Sequence, residues 1–264
     1  MKYSTVIATH NRLHCIEKAI ESARGELPEG EVVVVDDASV DGTFERLKQL
    51  YSGPILAGQM LVLQSTNNLG VTGAKNLGYE AARGDWVIFL DSDDAYVSGA
   101  GTAMRAEMVA SAQSPIVFFR CIDESGRFVG DLQNVRRLID LPTYLSHTSF
   151  GEALTAVNKS LCGKVLPYVA ELRGYEGLGC ARLIRQHGAA LLSDIVGRIY
   201  TTEGDDRLSS TRGMLKRMPL LAKGHYLMVS EFGRQMKGTQ AIALLLKALA
   251  YMLAGSINGI LSKG

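Results

Sequence analysis

The chain has 264 residues, 47% hydrophobic and 21% charged, an ordinary globular composition that excludes a disordered protein. Its 28 Lys and Arg nearly balance 27 Asp and Glu, for a net charge of +1, and so small a basic surplus argues against nucleic acid as a partner. The balance hides a split: from Arg207 onward nine Lys and Arg face a single acid, Glu231, a net of +8, which leaves −7 on residues 1–206 and implies two kinds of partner.

In chain order, a β-rich run covers Tyr3–Ala8. Ile16, Ala19, Ile20 and Ala23 recur at helical spacing and predict a helix over Leu13–Arg24. Glu31–Val35 reads EVVVV, a strand with no polar face, as in a parallel sheet covered on both sides. Thr43–Tyr51 follows as a short amphipathic helix capped near Asp41, then Met60–Gln64 as a strand, Thr72–Ala82 as a helix and Trp86–Leu90 as a strand. Strands alternating with helices of about ten residues predict an α/β fold with a doubly wound sheet. Ala103–Ala112 reads as a helix and Ile116–Cys121 as a strand, whereas 138–149 has no clear period. Tyr175–His187 is helical and Ala190–Tyr200 strand-like, before a polar loop, TTEGDDRLSS, and the basic segment.

Cys15, Cys121, Cys162 and Cys180 form no C-x-x-C pair, which argues against zinc and thioredoxin-like sites and predicts reduced thiols in a cytosolic protein. His14, His147, His187 and His225 share no metal spacing. The apolar start is too short for a signal peptide. A P-loop, a G-x-G-x-x-G after the first strand and a G-x-S-x-G elbow are all missing.

Three polar clusters follow strands: Asp36-Asp37-Ala38-Ser39, Asn67-Asn68-Leu69-Gly70 and Asp91-Ser92-Asp93-Asp94. Ligands of open α/β sheets bind beyond the carboxyl ends of the strands, so the clusters should converge on one crevice. Their carboxylates would repel unless a cation sits among them. Mg²⁺ or Mn²⁺ on a diphosphate fits, since such an ion takes one or two carboxylates plus phosphate oxygens. Asp and Asn are also common turn and cap residues after strands. Three clusters, one a D-x-D after a buried strand, weigh toward the ligand.

The stretches TVIATHNR, VVVVDDASVDGT and NNLGVTGAKNLGYEAARGDWVIFLDSDD resemble the family 2 glycosyltransferases of the GT-A fold, as found in bacterial polysaccharide synthesis. The resemblance is strong over residues 3–97 and weaker to 211. It implies a mixed, doubly wound sheet flanked by helices. Residues 1–98 would be the nucleotide-sugar-binding half, 99–211 the acceptor-binding and catalytic-base half of the same domain, and 212–264 a basic, amphipathic helical tail. The implied reaction is an inverting, metal-dependent transfer from a nucleotide-diphosphate sugar, UDP-linked by family frequency, to an acceptor hydroxyl.

Carried over by position, the donor site comprises Ala8, His10, Arg12, Asp37, Asn68, Lys75, Asp91 and Ser92. His10 would stack on the base and Asp37 would hydrogen-bond it. Lys75 stands where the family has a basic residue, though an exposed helix residue is its plainer reading. Asp93 would hold the metal directly, Asp91 the metal or the ribose, and Asp94 could share either role. The family's Glu-Asp base motif is incomplete here. Alignment on Arg182-Leu183 places Glu176 at the base, and alignment on the Glu places Gly177 there; Glu176 is favoured because no other acid is near. Glu203 is a candidate to replace a His that the family often has after a Tyr. A non-catalytic nucleotide-sugar-binding or scaffolding relative is the alternative.

Ala241–Leu261 holds 16 apolar residues in 21. A membrane span needs about 20, and a central Lys such as Lys247 costs roughly 2.5–3.5 kcal/mol. Helical spacing instead lines Ile242, Leu245, Leu246, Leu249, Met252, Leu253, Ile257 and Ile260 along one face, with Lys247 and Asn258 on another. With the net +8 this predicts a segment lying on anionic lipid; a helix pair packed on the core or on a second subunit, as in a homodimer, is the other reading. By analogy, the acceptor would be a glycan or lipid-linked glycan, and the protein peripheral on the cytoplasmic membrane face.

Overall fold

A computed structural model describes residues 1–130, 135–146, 152–202 and 211–261. The first half alternates strand and helix: β1 Tyr3–Thr9, α1 Ile16–Glu26, β2 Glu31–Asp36, α2 Thr43–Leu50, α3 Ser52–Leu56, β3 Met60–Gln64, α4 Gly70–Ala81 and β4 Trp86–Asp91. The second half is less regular: β5 Ala95–Tyr96, α5 Ala100–Ala110, β6 Ile116–Asp123, β7 Phe128–Val129, β8 Arg137–Ile139, α6 Leu141–Ser146, β9 Leu154–Asn158, α7 Lys159–Cys162, α8 Gly177–His187 and β10 Ala190–Tyr200. Two long helices follow, α9 Thr211–Phe232 and α10 Gly238–Leu261.

The strands form one mixed sheet in the order β3-β2-β1-β4-β9-β6-β10-β5, with β7 on β6 and β8 on β10. β3, β2, β1 and β4 are mutually parallel. β9 runs antiparallel between β4 and β6, which makes the sheet mixed. The chain winds outward from β1 through β2 to β3, then returns to β4 on the other side of β1. That reversal opens a crevice at the carboxyl ends of β1 and β4, where Ala8 lies opposite Asp91.

β2 is buried along its whole length, as its lack of a polar face predicts. Ile7, Val32 and Val34 pack toward α1 on one side of the sheet. Val6, Val33 and Val35 pack toward α4 on the other. α4 can lie this close because Gly78 faces Val6: a Cβ there would come within 2.4 Å of the Val6 side chain.

Helix boundaries shift from the periodic reading where loops take residues from helix ends. α1 starts at Ile16, because Cys15 and Ile16 first turn back onto the Arg12 carbonyl. α8 starts at Gly177, which leaves Tyr175 and Glu176 on its entering loop. The unassigned stretch around 138–149 contains β8 and α6. His147 and Glu203 lie outside the described residues. The C-terminal segment is not a detached tail. Met228 and Phe232 of α9 and Leu244 of α10 are buried with Leu172, Leu178 and Ala181. Arg182 of α8 makes a two-pronged ion pair with Glu231 of α9.

Candidate active site

The loops after β1 and β2 are laced together at the crevice. Asn11 adopts a left-handed conformation (φ 53°), and its backbone N–H donates to Ser39 Oγ at 2.8 Å while its Oδ1 accepts from Val40 N–H at 2.8 Å. His10 Nδ1 lies 2.7 Å from the Asp37 carbonyl oxygen. A carbonyl can only accept, so Nδ1 carries the proton and Nε2 accepts from Asn11 Nδ2 at 3.1 Å. This holds the exposed imidazole in one orientation at the crevice rim.

Asp37 is buried, and three donors converge on its carboxylate. Oδ1 accepts from Ser65 Oγ at 2.9 Å and Leu69 N–H at 2.7 Å, and Oδ2 from Gly70 N–H at 2.8 Å. It thereby ties β2 to the start of α4. A carboxylate has about four acceptor positions, so one remains for a further donor. Asp36 points to the other side of the sheet and is fully buried. Exposed Asn68 is gripped by Arg173, whose guanidinium donates to its Oδ1 at 2.8 Å and to its carbonyl.

Lys75 is a buried residue, not an exposed one. Its Nζ sits 2.9 Å from Asp91 Oδ1 and 2.7 Å from Glu176 Oε1, and 5.9 Å from the centre of the Tyr168 ring. Burial would lower its pKa, but the two carboxylates outweigh that and push it up. Asn76 and Tyr168 fix this side of α4 by a reciprocal pair of bonds at 2.8 and 3.1 Å. Lys75 therefore joins the D-x-D loop to the segment that enters α8.

A second buried cation stands outside the motifs that point to the site. Arg198, on β10, reaches across the end of β9. Its Nη1 is 3.0 Å from Asp91 Oδ2 and 3.1 Å from Asp94 Oδ2, its Nη2 donates to Glu152 Oε2 at 3.0 Å, and its Nε to Cys121 Sγ at 3.2 Å. The sequence carries one signal for it: a charged residue inside an otherwise apolar strand must find partners. The crevice thus answers its acidic edge with its own side chains. Lys75 and Arg198 hold Asp91, Arg198 holds Asp94, and Arg12 Nη1 donates to Asp93 Oδ2 at 2.8 Å. Thr201 completes the loop by donating its N–H to Asp94 Oδ1 at 2.8 Å and its hydroxyl to the Asp93 carbonyl at 2.6 Å. Ser92 is buried within this loop.

Asp91 and Asp94 share the Arg198 guanidinium and respond oppositely. Burial opposes ionisation of Asp91, but Lys75 and Arg198 together outweigh it and hold its pKa down at about 2. Asp94 lacks a second cation. Burial, with Asp91 and Asp93 nearby, raises it to about 7 against the pull of Arg198. Asp91 stays ionised and Asp94 is the member that takes a proton. The linkage signs are opposite too. Asp91 contributes stability above its unfolded pKa of about 3.9, lost only as pH falls toward 2. Asp94 contributes stability below about 3.9, lost as pH rises through about 7. His225 also titrates between about pH 5 and pH 8, with the opposite sign, so the Asp94 share is read by comparing a variant with the unmodified chain in urea titrations at those two pH values. Relative to the unmodified chain, the change in stability from about pH 5 to about pH 8 should be shifted toward greater stability at pH 8 in the Asp94→Asn variant; an unchanged difference would contradict the assignment.

As to a metal, the residues fit an ion only in company with a diphosphate. Both Asp91 oxygens face protein cations, Oδ1 toward Lys75 and Oδ2 toward Arg198, so Asp91 holds these two side chains at the crevice. Asp93 is partly exposed, with Oδ2 on Arg12, and is the carboxylate placed to serve. Among the described residues, no three His, Cys, Asp or Glu side chains gather into a protein-only site. A Mg²⁺-type ion bound by one carboxylate, phosphate oxygens and water meets that description.

Glu176 connects to the long C-terminal helices through its neighbours. Arg217 Nη2 of α9 donates to the Gly174 carbonyl at 2.8 Å. The Tyr175 hydroxyl lies 3.0 Å from His225 Nδ1, and the His225 ring stacks at 5.7 Å on Tyr251 of α10. Burial, then Lys247, holds the His225 pKa down at about 4, so the ring is neutral near pH 7. A Cβ on Gly224 would fall 2.5 Å from the Tyr175 ring, so glycine is what admits α9 here.

Comparison with known proteins gives a consistent picture. The family model described as "Glycosyl transferase family 2" matches residues 4–155. The chain is 30% identical over 166 residues to the GalNAc(5)-diNAcBac-PP-undecaprenol beta-1,3-glucosyltransferase of Campylobacter jejuni, covering 61% of this chain and 52% of that protein. The first three curated relatives are matched over 24%, 52% and 30% of their own lengths. Among solved structures, S. aureus TarS 1-349 in complex with UDP-GlcNAc superposes with a TM-score of 0.67 at 18% identity, covering 95% of this chain and 72% of that one. The mannosyltransferase PcManGT from Pyrobaculum calidifontis, in complex with GDP-Man and Mn2+, gives 0.66 at 18% identity, covering 99% and 79%. Identities this low carry the fold alone.

Proposed function

Because the chain belongs to glycosyl transferase family 2, we propose that it moves a sugar from a nucleotide-diphosphate sugar to an acceptor hydroxyl, with inversion and with Glu176 as the base. The observation that carries this reading is the Lys75 bridge, which fixes Glu176 Oε1 at 2.7 Å within reach of the strand-end donor loop. An acceptor hydroxyl is a weak nucleophile at neutral pH. A carboxylate that takes its proton during attack contributes about 10²–10⁴ in rate. Lys75 engages Oε1, and Oε2 would accept the proton. With Glu176 as the base and Asp93 assigned to the metal, the reading is a single in-line displacement.

On the donor side, His10 would present its fixed ring to the base, and Asp37 its remaining acceptor position. Arg12 would answer the diphosphate. A divalent ion on Asp93, when bound, would offset the charge that grows on the leaving nucleoside diphosphate. Support for Mn²⁺ or Mg²⁺ comes from the Mn2+-containing structural neighbour. For the donor's base, a UDP-linked sugar is the choice by family frequency; one neighbour holds UDP-GlcNAc and the other GDP-Man. Calorimetry with UDP- and GDP-sugars, each with and without Mn²⁺, tests both. Asp93→Ala should abolish the Mn²⁺-dependent part of donor affinity, and an unchanged affinity would remove Asp93 from the metal site.

The acceptor is proposed to be a lipid-linked glycan of cell-surface polysaccharide synthesis, met at the cytoplasmic face of the membrane. Support comes from the relative whose name places its acceptor on PP-undecaprenol.

A further inference from the structure

We propose that the outer face of α10 is a docking surface for an anionic lipid bilayer, on which the helix lies flat. This goes a step past the acceptor reading and stands without it. Ile242, Leu245, Leu246, Leu249, Met252 and Leu253 are all exposed, each at 42% or more. Their spacing repeats every three to four residues, so they form one continuous stripe along the helix. The opposite side of α10 is committed to the protein. Leu244 and Ala248 are buried, Tyr251 stacks on His225, and Gly255 lies against Pro219 of α9.

α10 is therefore apolar on two faces, and only one is used internally. A stripe of this size is far more than the scattered exposed Leu of an ordinary surface. The charges around it identify the occupant. Lys223, Arg234, Lys237 and Lys247 are exposed. The single acid of residues 211–261, Glu231, is paired with Arg182 and Arg185. An apolar stripe on a segment whose exposed charges, Glu231 aside, are cationic matches acyl chains beneath anionic headgroups. A second copy of this chain would bring like charge against like charge.

By length and composition Gly238–Gly255 could also cross a membrane. Spanning would place Lys247 near mid-bilayer and strip α10 from α9, exposing Leu244, Met228 and Phe232. Lying flat keeps that packing and wets only the stripe. The protein would be anchored one helix layer from Glu176, since α10 touches His225, His225 touches Tyr175, and Tyr175 precedes Glu176.

The test uses the full chain without any sugar donor, so its failure is separate from failure of the transferase reading. Sedimentation is measured with vesicles of phosphatidylcholine alone and of phosphatidylcholine with phosphatidylglycerol. Binding is expected to the anionic vesicles and to fall in about 0.5 M salt, where exposed charges are screened. The Leu246→Glu, Leu253→Glu double variant alters two exposed positions seven apart. It should keep its circular dichroism and thermal midpoint while its partition falls at least tenfold. Equal binding by the variant, or no binding to anionic vesicles, overturns the proposal. So does a dimer in light scattering that the variant dissolves while neither form binds vesicles.

Discussion

Replacing Arg198 with methionine should destabilise the fold by about 3–5 kcal/mol in urea denaturation, the scale expected when one member of a buried ion pair is removed. Methionine keeps much of the volume of the stem but no charge. Asp94 would then be buried beside Asp91 with no guanidinium between them, and Cys121 and Glu152 would lose the same partner. Protonation of Asp94 relieves the conflict, so the deficit should be larger at about pH 8 than at about pH 5. Arg198→Lys should fall between, because one ammonium cannot reach four acceptors in the geometry of the planar fork. A loss below about 1 kcal/mol, the range of surface pairs, would mean that Arg198 does not hold the edge together.

The second large effect concerns turnover. Glu176→Gln should lower transfer by about 10²–10⁴-fold while changing donor affinity little, since the amide oxygen can still accept from Lys75 but cannot take a proton at neutral pH. Full turnover in this variant would remove Glu176 as base. One observation favours the alternative of a nucleotide-sugar-binding relative. Gly177 stands beside Glu176 with space around it: a Cβ at this position would meet the Tyr144 hydroxyl, its nearest neighbour, only at 3.5 Å. If the unmodified protein binds donor but neither hydrolyses nor transfers it, that alternative holds.

The parallel half of the sheet is legible in the sequence because EVVVV and WVIFL are continuous apolar runs, a pattern that two-sided burial requires. β5, β7 and β8 are two or three residues long, too short to display a period. The strand-end rule locates His10, Asp37 and Asp91–Asp94 around one crevice, since it depends only on topology. It says nothing of which partners a carboxylate will find. The acidic edge suggests a metal as the missing cation, and the fold supplies Lys75, Arg12 and Arg198 as well. Lys75 reads as a surface position because a lysine within a helix is most often solvated, yet both of its partners lie on other elements. Arg198 is legible only as an anomaly within β10. Its partners are set by through-space neighbours that periodicity cannot report.

Arg198 and Asp91 are separated by 107 residues along the chain. At about 5–20 residues per second of synthesis, the acids precede their guanidinium by a delay on the order of 5–20 s. Until β10 docks, Asp91 and Asp94 are better left in water than buried. The Arg198 cluster can consequently form only after β10 has been synthesised. A nascent chain would carry these carboxylates for some seconds before the residue that neutralises them is made.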